Sequence, residues 1–123
     1  MSIETEDEPP MALEMRRVIL FTPELERMTA FYRDVIGLEI AGQEDGWVDF
    51  KAGGCGLALH AGKPVVKRRP SKIVFYAANV AEARALLTKR GLVQAGPIKS
   101  TGDFDMCDCK DPDGNAFQLS SRP

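Results

Sequence analysis

Asp111-Pro112-Asp113-Gly114-Asn115-Ala116-Phe117-Gln118-Leu119-Ser120 is the stretch that decides the fold. Pro112 pre-sets φ at the second position of a tight turn, Gly114 supplies a position with φ > 0, and Asp113 and Asn115 suit bonding to local backbone groups. A strand must follow. Its alternation puts Phe117 and Leu119 on one face and Gln118 and Ser120 on the other. The same ending occurs earlier: Gly54-Cys55-Gly56-Leu57-Ala58-Leu59-His60 aligns with Gly114-Asn115-Ala116-Phe117-Gln118-Leu119-Ser120 at an offset of sixty residues. A second pair, Gly37-Leu38-Glu39-Ile40-Ala41-Gly42 and Gly91-Leu92-Val93-Gln94-Ala95-Gly96, repeats in the same order at an offset of fifty-four. Two matches in one order describe a doubled unit.

Outward from these anchors, each unit reads as strand, helix and three strands. In the first, residues 16–21 alternate, with Val18 and Leu20 on one face and Arg17, Ile19 and Phe21 on the other. Thr22 is expected as a helix N-cap, with Pro23 at the first helical position and Glu24 and Glu26 in the first turn. Leu25, Met28, Tyr32 and Val35 recur at helical spacing, and Gly37 ends the helix. Strands are expected at 38–41, 47–51 and 56–60, separated by the hairpin signals Asp45-Gly46 and Gly53-Gly54. The second unit repeats the scheme. Over residues 71–77, Ile73, Phe75 and Ala77 face one way and Lys72, Val74 and Tyr76 the other. Asn79 caps a helix with a Val80, Ala83 and Leu87 stripe, Gly91 stops it, and strands follow at 92–95, 103–110 and 116–120.

A chain of 123 residues, 44% of them hydrophobic, supports one domain and one core. It carries no run of membrane-spanning length, and its first residues lack the basic start and apolar stretch of a secretory signal, so a cytoplasmic location and no membrane partner are expected. Three cysteines fit a reducing compartment. Cys107 and Cys109 share one strand face without the further Cys or His that zinc needs, so they are read as core residues. Residues 1–12 carry Glu4, Glu6, Asp7 and Glu8 and are expected to form a disordered acidic tail. Subtracting those four charges turns the net charge of −2 into +2 for the remaining residues, which gives no argument for nucleic acid. Positive charge concentrates at 63–69, read as a solvated linker between modules at about 13–62 and 70–121 of a single domain, 13–123.

Two segments carry a family resemblance: Ala30-Phe31-Tyr32-Arg33-Asp34-Val35-Ile36-Gly37-Leu38, after the Pro-containing helix start, and Lys110-Asp111-Pro112-Asp113-Gly114-Asn115-Ala116-Phe117. Together with the repeat, they make residues 16–120 resemble the vicinal oxygen chelate superfamily. That family holds glyoxalase I, extradiol dioxygenases, methylmalonyl-CoA epimerase, and the fosfomycin and bleomycin resistance proteins. The resemblance implies an α+β fold of two βαβββ modules whose mixed sheets curve into a half-barrel cleft, completed in many members by module exchange in a homodimer. A homodimer is therefore expected. The resemblance also implies metal-ligand positions on the first and last strand of each module, which fall here on Arg17, Ala58, Lys72 and Gln118. Arginine and protonated lysine offer a cation no lone pair, alanine has no donor, and Gln118 alone is a weak ligand. No cofactor is expected. The alternative, a divalent zinc, nickel, iron or manganese ion, requires a rearranged site using His60, Gln118 and Asp108.

Arg17 and Lys72 can pair with Asp49 and Asp108, or they can clamp an anionic oxygen of a ligand. The first arrangement predicts a neutral ligand, and the second an anionic or enolisable aromatic-sized one. Ile19, Phe21, Trp47, Val74 and Tyr76 supply apolar walls in either case. The candidate ligand-binding residues are thus Arg17, Ile19, Phe21, Trp47, His60, Lys72, Tyr76 and Gln118. Two functions follow: metal-independent binding of a small organic molecule, as in the drug-sequestering members, or a metal-dependent lyase, isomerase or dioxygenase with a remodelled site. No catalytic residue is assigned.

Overall fold

The computed structural model describes residues 15–63 and 71–123. The expected acidic tail and all but the first residue of the 63–69 linker lie outside them. In the first module, β1 (Arg17–Thr22) leads into α1 (Leu25–Ala30), which continues as a π-helical segment (Phe31–Ile36). Strands β2 (Glu39–Glu44), β3 (Trp47–Ala52) and β4 (Cys55–Ala61) follow. The second module is β5 (Ile73–Tyr76), α2 (Val80–Lys89), β6 (Gln94–Ser100), β7 (Asp105–Lys110) and β8 (Ala116–Ser120). Each module builds one four-stranded mixed sheet, sheet 1 in the order β1-β4-β3-β2 and sheet 2 in the order β5-β8-β7-β6. In both, the first strand runs parallel to the last and the other pairs are antiparallel. The chain is therefore α+β with two βαβββ modules.

The repeat has a physical meaning at each matched position. Gly37 (φ 90) and Gly91 (φ 117) leave their helices in the left-handed conformation that glycine adopts without strain. Leu57 and Leu59 on β4, and Phe117 and Leu119 on β8, all turn into the core. That core is one cluster. Met28 from α1, Phe31, Tyr32 and Val35 from the π-helical segment that continues it, and Val80 and Leu87 from α2 pack with Phe50 and Leu59 of sheet 1 and with Cys107, Cys109 and Phe117 of sheet 2. Both sheets thus spend one face on a shared interior, and their other faces turn away from it. Among the described strands no pairing joins the sheets, which stay open.

The Asp111 turn fastens the modules to each other. Its carboxylate is buried, with Oδ1 accepting from the Asp113 and Asn115 amides (3.0 and 2.8 Å) and Oδ2 from the Asn115 side-chain amide and the Tyr32 hydroxyl (2.8 and 2.7 Å). Burial, followed by the Asp111 charge, pushes the Tyr32 phenol well above its ordinary pKa. The π-helical segment helps to present the tyrosine. Gly37 and Leu38 both donate to the Tyr32 carbonyl, and this wider turn brings the consecutive residues Phe31 and Tyr32 inward together. Phe31 then meets Phe117 edge-on at 6.1 Å. At the surface, Arg27 pairs with Asp113 (3.1 Å) and Arg90 donates to the Val35 carbonyl (3.3 Å).

Several boundaries differ from the sequence reading. Thr22 is not the N-cap of α1. It ends β1, its carbonyl takes the Gly62 amide (2.9 Å), and its hydroxyl accepts from the Glu24 amide (2.9 Å), so it closes a short turn before a helix that begins at Leu25. Asn79 does cap α2, accepting from the Glu82 amide at 3.0 Å. β2 and β6 run well past 41 and 95 because antiparallel partners continue beside them, and β5 and β7 are shorter than expected. Both extended strands carry an irregularity, between Ile40 and Gly42 and between Ala95 and Ile98. Pro97 sits within the second one on an edge strand, where its missing N–H costs no ladder bond. Among the described residues no helix is long and apolar enough to cross a membrane.

Candidate functional site

The faces left uncovered by the core carry the candidate site. On sheet 1, register aligns Phe21, His60 and Trp47 in one cross-strand row and Ile19, Ala58 and Asp49 in the next. The row of rings is in contact: Phe21 lies 5.2 Å from the His60 imidazole, and Trp47 meets it edge-on at 5.7 Å. Arg17 approaches the indole at 5.9 Å from its centroid and pairs with Asp49 at 3.7 Å. Ala58 is on this open face yet fully buried. The indole is within reach of both Arg17, at one end of the face, and His60, in its own row, and Ala58 lies in the row beside it, aligned with Ile19 and Asp49.

On sheet 2, Val74, Gln118 and Asp108 share a row beside Tyr76, Ser120 and Met106. Asp108 Oδ1 accepts from Lys72 Nζ (3.0 Å) and from Gln118 Nε2 (2.9 Å), while Met106 Sδ lies 3.7 Å from the same amide nitrogen. The Gln118 bond first, and then Lys72, hold the Asp108 carboxyl below its usual range. The Lys72–Asp108 pair is about half exposed, so its effect is mainly to neutralise the face rather than to stabilise the fold.

The eight candidate residues therefore fall into two groups. Arg17, Ile19, Phe21, Trp47 and His60 share the open face of sheet 1, and Lys72, Tyr76 and Gln118 that of sheet 2. Each cation already has a carboxylate, which is the pairing alternative of the sequence reading. A cavity of about 680 Å3 opens at the far end of sheet 1 beside Arg17, Asp49 and Lys51. Phe21, Trp47 and His60 do not line it and form an open shelf instead of a pocket. Two contributors escaped the sequence reading. Met106 was legible from its alternation with Asp108 on one strand. Gly62, whose Cβ would come within 3.2 Å of the Phe21 ring, had no local signal.

The positions that the family resemblance assigns to metal ligands do not suit a dication. A guanidinium, a methyl group and an ammonium occupy three of them, and the fourth, Gln118, spends its amide on Asp108. Among the described residues no three His, Cys, Asp or Glu side chains gather around one point.

No curated protein matches this chain. Solved structures share its fold. The lactoylglutathione lyase of Agrobacterium tumefaciens superposes with a TM-score of 0.71 at 24% identity, over 92% of this chain and 95% of that one. A putative glyoxalase family protein from Bacillus anthracis gives 0.74 at 20%, over 89% and 95%. TnmS3, an antibiotic binding protein from Streptomyces sp. CB03234, gives 0.76 at 21%, over 89% and 96%. Two βαβββ modules, the buried Asp111 turn and a family profile that matches residues 14–119 together place the chain: it belongs to the Glyoxalase/Bleomycin resistance protein/Dioxygenase superfamily.

Proposed function

We propose that this protein binds a small, planar organic molecule of no net charge, without a metal, between sheet 1 of one copy and sheet 2 of a second. One observation carries the reading. Ile19 (42% exposed), Phe21 (45%), Val74 (55%) and Tyr76 (65%) display large apolar side chains on open sheet faces where Arg17 and Lys72 are already paired. Apolar surface gathered on a sheet face is stabilised by being covered, at about 25 cal/mol per Å2, and a flat ligand against ring faces covers it well. An anion would have to compete with Asp49 for Arg17 and with Asp108 for Lys72, so neither of these two cations is free to draw it.

The two faces turn away from the shared core, so a single chain leaves each open. Two copies related by a two-fold axis can set sheet 1 of each against sheet 2 of the other, which encloses two equivalent clefts. The fold shared with an antibiotic-binding protein is compatible with this reading.

Trp47 is the single tryptophan of the chain and lies in the shelf, so its fluorescence reports occupancy. A panel of neutral, cationic and anionic planar aromatics, screened by thermal shift and by Trp47 emission, tests the reading. Neutral members are expected to raise the melting point, with about 2.7 kcal/mol of apparent stabilisation at a hundredfold excess over Kd. Binding confined to anions and abolished by Arg17→Gln or Lys72→Gln would refute it.

A further inference from the structure

His60 stands at the centre of the cross-strand row of rings, and its orientation is fixed from several sides. Phe21 and Trp47 flank the imidazole at 5.2 and 5.7 Å. Its Nδ1 lies 2.9 Å from the Ala61 carbonyl. A carbonyl oxygen only accepts, so that contact puts a proton on Nδ1, and the neutral ring keeps its lone pair on Nε2. Nε2 has no protein partner among the described residues, and the side chain is exposed.

The backbone behind the ring is equally constrained. The Ala61 amide donates to the Gly46 carbonyl and the Gly62 amide to the Thr22 carbonyl, each at 2.9 Å, which pins the acceptor that sets the tautomer. Gly62 also leaves the room in which the Phe21 ring lies, since a Cβ there would approach Phe21 Cδ1 to 3.2 Å. Asp49, the carboxylate on the same face, is committed through Oδ2 to Arg17, and its Oδ1 is buried.

We propose that His60 Nε2 is a pre-oriented hydrogen-bond acceptor that selects planar aromatic ligands carrying a hydroxyl or N–H donor on the ring edge, as in phenols and hydroxyquinones. This rests on the reading of the open face of sheet 1 as the ligand site. The rings supply affinity for any flat molecule, and the fixed lone pair supplies discrimination among them. A site with a pre-set polar partner rejects a ligand that cannot satisfy it.

The probes are 2-naphthol and 2-methoxynaphthalene, which share the ring system and differ in the donor. Calorimetric titration of the full chain is expected to show naphthol bound roughly fivefold more tightly, the ratio that one ordinary hydrogen bond gives. His60→Phe, which keeps a ring and loses the acceptor, should bring the ratio to about one, and His60→Gln should restore part of it. Glu44, aligned with Trp47 on the neighbouring strand, is the competing acceptor, and Glu44→Gln should leave the ratio unchanged. His60 is the only histidine, so a long-range 1H–15N spectrum reads its tautomer in the unmodified protein. The Nε2 signal should be that of an unprotonated nitrogen, and it should move with naphthol and not with the ether. Equal binding of both probes to the wild type overturns the inference and leaves the ligand-site reading standing. A preference that survives His60→Phe, or that disappears in Glu44→Gln alone, overturns the inference as well. Binding of neither probe overturns the ligand-site reading and the inference with it.

Discussion

Tyr32→Phe isolates the buried one of the bonds that join the two modules, because phenylalanine fills the same space and removes only the hydroxyl. That hydroxyl is wholly buried and donates at 2.7 Å to a carboxylate that is itself 1% exposed, so no water can replace it. A hydrogen bond to a charged group contributes about 1.5–3 kcal/mol, and with about 2 kcal/mol lost Asp111 Oδ2 retains only the Asn115 amide. For 123 residues at about 2.1 cal/mol/K each, the unfolding entropy is about 0.26 kcal/mol/K, and the melting point should fall by about 8 °C. Asp111→Asn makes the complementary change, replacing one acceptor by a donor that faces other donors. The double variant should be less destabilised than the sum of the singles, with a coupling of at least about 1 kcal/mol. The raised Tyr32 pKa adds a sign. Stability from this contact is fully present below the unfolded phenol value near 10 and is lost as pH rises toward the folded one, so wild type should weaken in alkali more steeply than Tyr32→Phe. Urea and thermal denaturation followed by circular dichroism measure all of this. A loss below about 0.5 kcal/mol for Tyr32→Phe, or strict additivity of the singles, would refute the role given to the Asp111 turn.

Protein purified without chelator should contain well under one equivalent of zinc, nickel, iron or manganese by plasma mass spectrometry, whereas near-stoichiometric metal lost in His60→Ala would defeat the metal-free reading. Light scattering at micromolar concentration should give twice the chain mass, and a monomer mass would remove the second copy from the cleft. Of the three thiols, only Cys55 is partly accessible, while Cys107 and Cys109 are buried and burial pushes Cys109 up to about 12. A disulfide reagent should therefore titrate one thiol in the native protein and three in guanidinium, and three fast native reactions would contradict the packing. Gln118→Ala and Lys72→Met should each raise the Asp108 carboxyl toward its ordinary value, visible as a higher titration midpoint by carbon NMR. The stability linked to that carboxyl is present above its unfolded pKa and fades as pH falls through the folded one, and an unmoved midpoint would show that neither neighbour holds it.

The fold was legible because its cues are local and doubled. Gly37 and Gly91 need a left-handed backbone, Asn79 caps within its own turn, and Leu57, Leu59, Phe117 and Leu119 alternate with small or polar residues, so a short window decides each case. Boundaries failed where a distant partner decides. Thr22 has the chemistry of an N-cap, but the Gly62 amide across the sheet claims its carbonyl and keeps it in the strand. β6 extends through Pro97 because β7 lies alongside, which no propensity of residues 94–100 could announce.

The candidate site divides along the same line. Alternation alone places Arg17, Ile19 and Phe21 on one face of β1, and pairing with Asp49 and Asp108 follows from counting charges on strands of the same sheet, each carboxylate lying one strand beyond the immediate neighbour. What Ala58 does depends on its neighbours across the sheet. An alanine at a position the family resemblance assigns to a ligand reads, in sequence, only as a loss. In three dimensions it is a fully buried residue on an otherwise open face, aligned with Ile19 and Asp49 in the row beside Phe21, His60 and Trp47. With no exposed surface left at 58, a larger side chain there would have to displace the groups that cover it, and the neighbouring row of rings stands next in line. A shelf built this way depends on the smallness of one residue as much as on the rings beside it.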